Sequence, residues 1–152
     1  MADLIIPVGI PGCGKSTWTK RFFEIVVSSD AIRADLYDGD YDPSRNSEVF
    51  DRFHSLISNH LAFSIFPVVA DATNLQASAR AKLRILAIRE LARIHYIIFR
   101  NVGQAIERNT QRDKRWVVPP DAMLRMVSQY EQMLRDIENE PYDSITYIEK
   151  VL

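Results

Sequence analysis

Gly9-Ile10-Pro11-Gly12-Cys13-Gly14-Lys15-Ser16-Thr17 fits G-x-x-x-x-G-K-[S/T], the phosphate-binding loop, and its flanks fit as well. Leu4 to Val8 is an apolar run of strand length, and Ser16 to Phe23 opens as a helix, giving the strand–loop–helix context that the motif requires. Gly9, Gly12 and Gly14 let the backbone curl so that successive N–H groups point at phosphate oxygens. The helix N-terminus adds partial positive charge at the same spot. Lys15 is placed to reach the β- and γ-phosphates and Ser16 to ligate Mg²⁺ through its hydroxyl, with Gly12, Cys13, Gly14 and Thr17 completing the cradle. ATP with Mg²⁺ is the expected ligand. Pro7 is discordant, because it cannot donate a ladder hydrogen bond from inside a strand, and a non-donating position just before the loop is expected for it.

The chain has 152 residues, 47% hydrophobic and 26% charged, which fits one domain over 1–152 with a proper core. Met-Ala-Asp followed at once by a core strand leaves no room for a signal peptide. No apolar run approaches membrane-spanning length, and the single Cys13 has no internal disulfide partner. No membrane association and a cytoplasmic setting are expected. The net charge of −1 argues against tight non-specific nucleic-acid binding. The charge is uneven, however: residues 80–115 carry ten Lys/Arg against three acids. Arg80, Lys82, Arg84 and Arg89 read as a solvated helix face.

Further strands are expected at 25–29, 66–70, 94–99 and 144–149, and helices at 31–36, 46–61, 78–91, 104–115 and from Pro120 to Ile137. Residues 38–44 form a polar loop with turn residues. Phe50, Phe53, Ile57 and Leu61 share one helix face, as do Met123, Met126, Val127, Tyr130, Met133, Leu134 and Ile137, all as core. Strands alternating with helices predict an α/β fold, a parallel sheet with helices on both faces. The strand order is not set by the pattern.

Ligands bind beyond the carboxyl ends of the strands in such sheets, so the residues that follow each strand are the candidates. Asp30 follows the second strand. It reads as a general base for a hydroxyl acceptor, or as the N-cap of the next helix. Arg33, one turn on, reads as a clamp for an anionic acceptor group, or as a plain intrahelical partner of Asp30. Asp71 closes the third strand in the manner of a Walker B aspartate and is a candidate Mg²⁺ ligand. Thr73 and Asn74 read as substrate contacts or helix caps. Arg108, Arg112 and Arg115 at i, i+4 and i+7 share one helix face, where an anion such as a triphosphate would offset their repulsion. Trp116 reads as a packing residue, with base stacking as the alternative.

These residues together resemble the P-loop 5′-hydroxyl polynucleotide kinases of phage and bacterial end-healing systems. The resemblance spans nearly the whole chain. It rests on Gly9 to Trp18, Ser29-Asp30-x-x-Arg33, Asp71-Ala72-Thr73-Asn74, Glu107-Arg108-Asn109 with Arg112, and Val118-Pro119. It implies a P-loop NTPase fold, adenylate-kinase-like, with a small mobile lid at about 108–118. It further implies transfer of the γ-phosphate of ATP to the 5′-OH end of DNA or RNA. In that family the counterpart of Asp30 is the general base, that of Arg33 engages the acceptor's phosphate, and that of Arg112 contacts the donor phosphates. Arg108 matches a second lid position, and the D-A-T-N stretch lines the same site. Family members often carry further end-processing or ligase domains, so a separately encoded partner of that kind is an expectation here. A small-molecule or sugar-nucleotide kinase, and a non-catalytic ATP-binding module, are the alternatives.

Overall fold

The computed structural model describes residues 1–37, 43–114 and 117–151. Its centre is β1 (Asp3–Val8), buried on both faces from Leu4 onward. Around it lie β2 (Ile25–Ser28), β3 (Val68–Asp71), β4 (Arg93–Phe99) and β5 (Ser144–Ile148). The sheet order is β2-β3-β1-β4-β5, and every neighbouring pair is parallel. Parallel neighbours require crossovers, which are supplied by α1 (Lys15–Phe22), α2 (Ser29–Tyr37), α3 (Asn46–Phe63), α4 (Ala77–Arg89), α5 (Val102–Asn109) and α6 (Pro120–Asp136). The helices cover both faces of the sheet, as the α/β reading predicts. The chain goes from β1 out to β2, returns to β3 beside β1, then crosses to β4 on the other side. That reversal puts the ends of β1 and β3 at the switch point where such sheets bind ligands. No described helix is long and apolar enough to cross a membrane.

Pro7 fits its central strand for a local reason. The β1–β3 register ends at Ile5↔Val69, and beyond it the Pro7 carbonyl accepts from the Asn74 amide at 2.8 Å. A strand residue's N and C=O face the same neighbour, so the missing N–H of Pro7 points to a side where the ladder has already stopped. The third strand starts at Val68, leaving Phe66 and Pro67 outside it.

The apolar stripe of α3 runs through Val49, Phe53, Ile57 and Leu61, all buried, with Phe50 only half-buried. Pro120 occupies the first turn of α6, where its missing N–H has no helical partner to lose. Met123, Tyr130 and Met133 of that helix enter the core, followed by Ile137, while Leu134 stays partly exposed. The Tyr130 hydroxyl is buried without a hydrogen-bond partner among the described residues, and burial pushes its pKa up to about 12. An unpaired buried hydroxyl carries an unrecovered desolvation cost. Tyr130→Phe is therefore expected to stabilise the fold by about 1 kcal/mol in urea unfolding.

The solvated basic face expected on α4 holds for Lys82 and Arg89, which are exposed, and is corrected at Arg80 and Arg84. Arg80 is 1% exposed. Its Nε donates to both Glu140 carboxylate oxygens at 2.9 and 3.0 Å, and its Nη1 to the carbonyls of Asn74 and Leu75. Arg84 reaches Glu140 and the Tyr96 hydroxyl. A carboxylate from the turn after α6 thus draws two arginines of α4 inward, and only a paired charge tolerates such burial. On the other face of β4 from Tyr96, His95 bridges Asp3 and Ser144, a structural role for that histidine.

Candidate active site

A cavity of about 980 Å³ opens beyond the ends of β1 and β3. The phosphate loop forms its floor. Gly12 and Gly14 both sit at φ +90°, the left-handed region that glycine enters without strain. A Cβ on Gly12 would lie 2.4 Å from the Ala105 carbonyl oxygen, so α5 packs onto the loop only because that position is glycine. The Asn101 amide ties the same helix to the Cys13 carbonyl at 2.8 Å. No side chain caps α1, and its first-turn N–H groups are the donors that the motif offers to phosphate. Lys15 is buried, its Nζ folded over Ile10 O at 3.5 Å and Cys13 Sγ at 3.7 Å. Cys13 is buried beneath the loop and does not line the cavity.

Ser16 donates its hydroxyl to Asp71 Oδ2 at 2.6 Å, joining the two candidate Mg²⁺ ligands across 55 residues of sequence. Two hard oxygens at the loop suit an ion that takes few protein ligands and completes its shell with phosphate and water. Among the described residues there is no group of three or more His, Cys, Asp or Glu that would form a dedicated cage. Burial raises the pKa of Asp71, with Asp30 adding to the rise and the Ser16 hydrogen bond and Lys15 opposing it. In the unfolded chain this carboxylate loses its proton earlier, so stability falls as pH rises from the ordinary carboxylate value through the raised folded value. Asp71→Asn is expected to raise the melting temperature of the ligand-free protein at pH 7 and to flatten that acid-side dependence. Thermal unfolding at pH 4 to 7 measures both.

Asp30 lies in the first turn of α2, yet the cap there is Ser28, whose Oγ accepts from Ala31 N at 3.2 Å. The capping alternative for Asp30 is thereby removed. Its carboxylate faces the cavity, 54% exposed. Oδ1 accepts from Arg33 Nη1 at 2.9 Å, and Oδ2 lies 3.9 Å from Arg112 Nη2. The Asp30–Arg33 pair is more than an intrahelical contact, because Arg33 also lines the cavity and reaches Asn46 of α3.

The three-arginine helix face is a further correction. Helix α5 ends at Asn109, whose side chain donates to Val118 O at 2.9 Å and accepts from Val118 N at 3.0 Å. Beyond Asn109 the chain leaves the helical path, and Arg112 sits in a turn, its N–H donating to the Asn109 carbonyl at 3.3 Å. Arg108 and Arg112 still line the same cavity. Arg108 Nη2 donates to the Val151 carbonyl at 2.8 Å, beside Gly14. The expectations for Arg115 and Trp116, and for most of the 38–44 loop, fall outside the described residues.

Thr73 lines the cavity and its carbonyl accepts from Gly9 N at 3.1 Å. Asn74 is turned inward at φ 52°, its amide spent on the carbonyls of Pro7, Ala70 and Ala72. It holds the ends of β1 and β3 together rather than facing the cavity. No local pattern marks Phe50, Arg125, Met126 or Val151 for the cavity wall that they join. Residues 122, 125 and 126 share a helix face, but an arginine on an amphipathic helix reads as surface.

A switch-point cavity with an intact phosphate loop, a Ser–Asp oxygen pair and two arginines, Arg108 and Arg112, in its wall fits a P-loop kinase-like α/β domain. The chain belongs to the AAA domain family AAA_33, whose profile matches residues 4–135. Among solved structures, a crystal structure of "a putative kinase from chloroflexus aurantiacus" is similar in fold, with a TM-score of 0.67 at 14% identity. The likeness covers 97% of this chain and 84% of that one. No curated protein matches the sequence.

Proposed function

We propose that this domain transfers the γ-phosphate of ATP to the 5′-hydroxyl end of a polynucleotide, with Asp30 as general base. The observation that carries the reading is the position of Asp30 between Arg33 at 2.9 Å and the lid residue Arg112 at 3.9 Å. One arginine belongs to the helix on the acceptor side and the other to the segment above the phosphate loop. A carboxylate held between them supports the general-base role, because its Oδ2, 3.9 Å from Arg112, is left to take the proton of an attacking hydroxyl. Further support comes from the separate segments of the end-healing resemblance, since Gly12 to Thr17, Asp30, Arg33, Asp71, Arg108, Arg112 and Val118-Pro119 meet around one cavity, Cys13 excepted.

In the step, the acceptor hydroxyl oxygen bonds to the γ-phosphorus and the bond from that phosphorus to the β,γ-bridging oxygen breaks. The hydroxyl proton passes to Oδ2 of Asp30, and ADP leaves. Lys15, Arg108 and Arg112 take the charge of the donor phosphates, and Arg33 takes the phosphate next to the acceptor's terminal nucleoside. Ser16 and Asp71 would hold Mg²⁺ beside the nucleotide, and the bound ion would supply charge neutralisation on the phosphate oxygens.

An ATP-consumption screen over 5′-OH and 5′-phosphate oligonucleotides, nucleosides and sugars tests the acceptor. Only the 5′-OH oligonucleotides are expected to stimulate turnover, whereas stimulation by a sugar or nucleoside alone would replace the polynucleotide with a small-molecule acceptor. Arg112→Ala is expected to lower kcat about 10²–10³-fold, as for loss of a donor aimed at transition-state charge. An unchanged kcat would remove the lid arginine from the mechanism.

A further inference from the structure

Arg33 is held at three points. Its Nη1 donates to Asp30 Oδ1 at 2.9 Å and its Nη2 to Asn46 Oδ1 at 2.9 Å. Its guanidinium carbon stands 5.6 Å from the centroid of the Phe50 ring. Asn46 is the first residue of α3 and Phe50 lies one turn on, so a single helix face supplies both an acceptor and a stacking surface. Arg33 side-chain exposure is only 16%. A guanidinium is a rigid planar fork, and fixing two of its nitrogens and one face fixes the direction of its remaining N–H groups. It also fixes the rotation of the Asp30 carboxylate, because Oδ1 is taken by Arg33 while Oδ2 is left toward Arg112.

We propose that Asn46, together with Phe50 beneath the Arg33 guanidinium, is a positioning residue for the acceptor. By holding Nη2 of Arg33, Asn46 aims that fork at the acceptor's anionic group and leaves Oδ2 of Asp30 for the attacking hydroxyl. The proposal rests on the reading of this cavity as a 5′-end kinase site. Asn46 touches neither donor nor acceptor; it acts through Arg33. A helix-start asparagine with no wider role would leave acceptor recognition unchanged when replaced.

The test compares wild type, Asn46→Leu and Asn46→Asp in steady-state transfer from ATP to a short 5′-OH oligonucleotide. In parallel, the Arg33 guanidinium N–H signals are followed by ¹⁵N NMR in the ligand-free protein. Asn46→Leu is expected to raise the oligonucleotide KM about tenfold, the size of one lost hydrogen bond to a charged group. The KM for ATP should stay within about twofold. Asn46→Asp keeps an acceptor oxygen and suits a helix start, so it should bring the oligonucleotide KM most of the way back. The Arg33 N–H groups should be resolved in wild type and Asn46→Asp and averaged by rotation in Asn46→Leu. An unchanged oligonucleotide KM in Asn46→Leu, or an equal rise in the KM for ATP, overturns the proposal. Should wild type label no oligonucleotide, the 5′-end reading fails on its own. Resolved Arg33 signals in Asn46→Leu would then overturn the cradle independently.

Discussion

Asp30→Asn is expected to lower kcat for phosphoryl transfer by about 10²–10⁴-fold, the usual worth of a positioned general base. ATP affinity should stay within about twofold of wild type, because a base that acts on the acceptor proton contributes little to donor binding. Among the described residues two carboxylates line the cavity, and they are not equivalent. Asp71 is 4% exposed and already bonded to Ser16, which commits it to the phosphate-loop side. Asp30 is the exposed one, with Oδ1 fixed by Arg33 and Oδ2 open toward Arg112. Asparagine keeps the size and the Arg33 contact but cannot take a proton. Steady-state kinetics beside an ATP-binding titration separate the outcomes. Wild-type kcat in Asp30→Asn would sink the assignment of the base.

Glu140→Ala is expected to cost about 3–5 kcal/mol of stability, the penalty for stranding a buried charge by removing its partner. For a domain of this size that corresponds to a melting-temperature drop of roughly 6–20 °C. Glu140 is bonded to Arg80, Arg84 and the Tyr96 hydroxyl. Of these Arg80 is the critical partner, because its side chain is almost wholly inaccessible to water. Its other bonds go to the carbonyls of Asn74 and Leu75, just behind the cavity, so the loss should also weaken ATP binding. Replacing both members by apolar residues, as in Arg80→Met with Glu140→Leu, should cost less than Glu140→Ala alone, since a buried pair seldom outperforms good packing. Urea unfolding of the single and double variants measures the difference. A single variant no less stable than the double would contradict the account.

The parts of the fold legible in the sequence were those set by local spacing. Gly9 to Thr17 announced the loop and its helix, the strand-helix alternation announced the parallel sheet, and Asp30 and Arg33 stood where a strand ends. What escaped was set by distant partners. Arg80 looked solvated because Glu140 lies 60 residues away. The helix through Arg112 looked continuous because nothing local shows that Asn109 would bond Val118 instead of continuing a turn. Asn74 looked like a substrate contact because its left-handed backbone, and with it the inward amide, depends on the neighbouring end of β1. Asn46 carried no signal at all, since the value of an asparagine at a helix start depends on which side chain meets it.

The measurement that tests the central claim most directly is transfer of labelled γ-phosphate from ATP, with Mg²⁺, to short 5′-OH DNA and RNA, followed by digestion to single nucleotides. Wild type and Asp30→Asn are run together. The account predicts label on the 5′-terminal nucleotide with wild type and its near-complete loss with the variant. Intact ATP binding without any labelled 5′ end, on DNA or RNA, would contradict it.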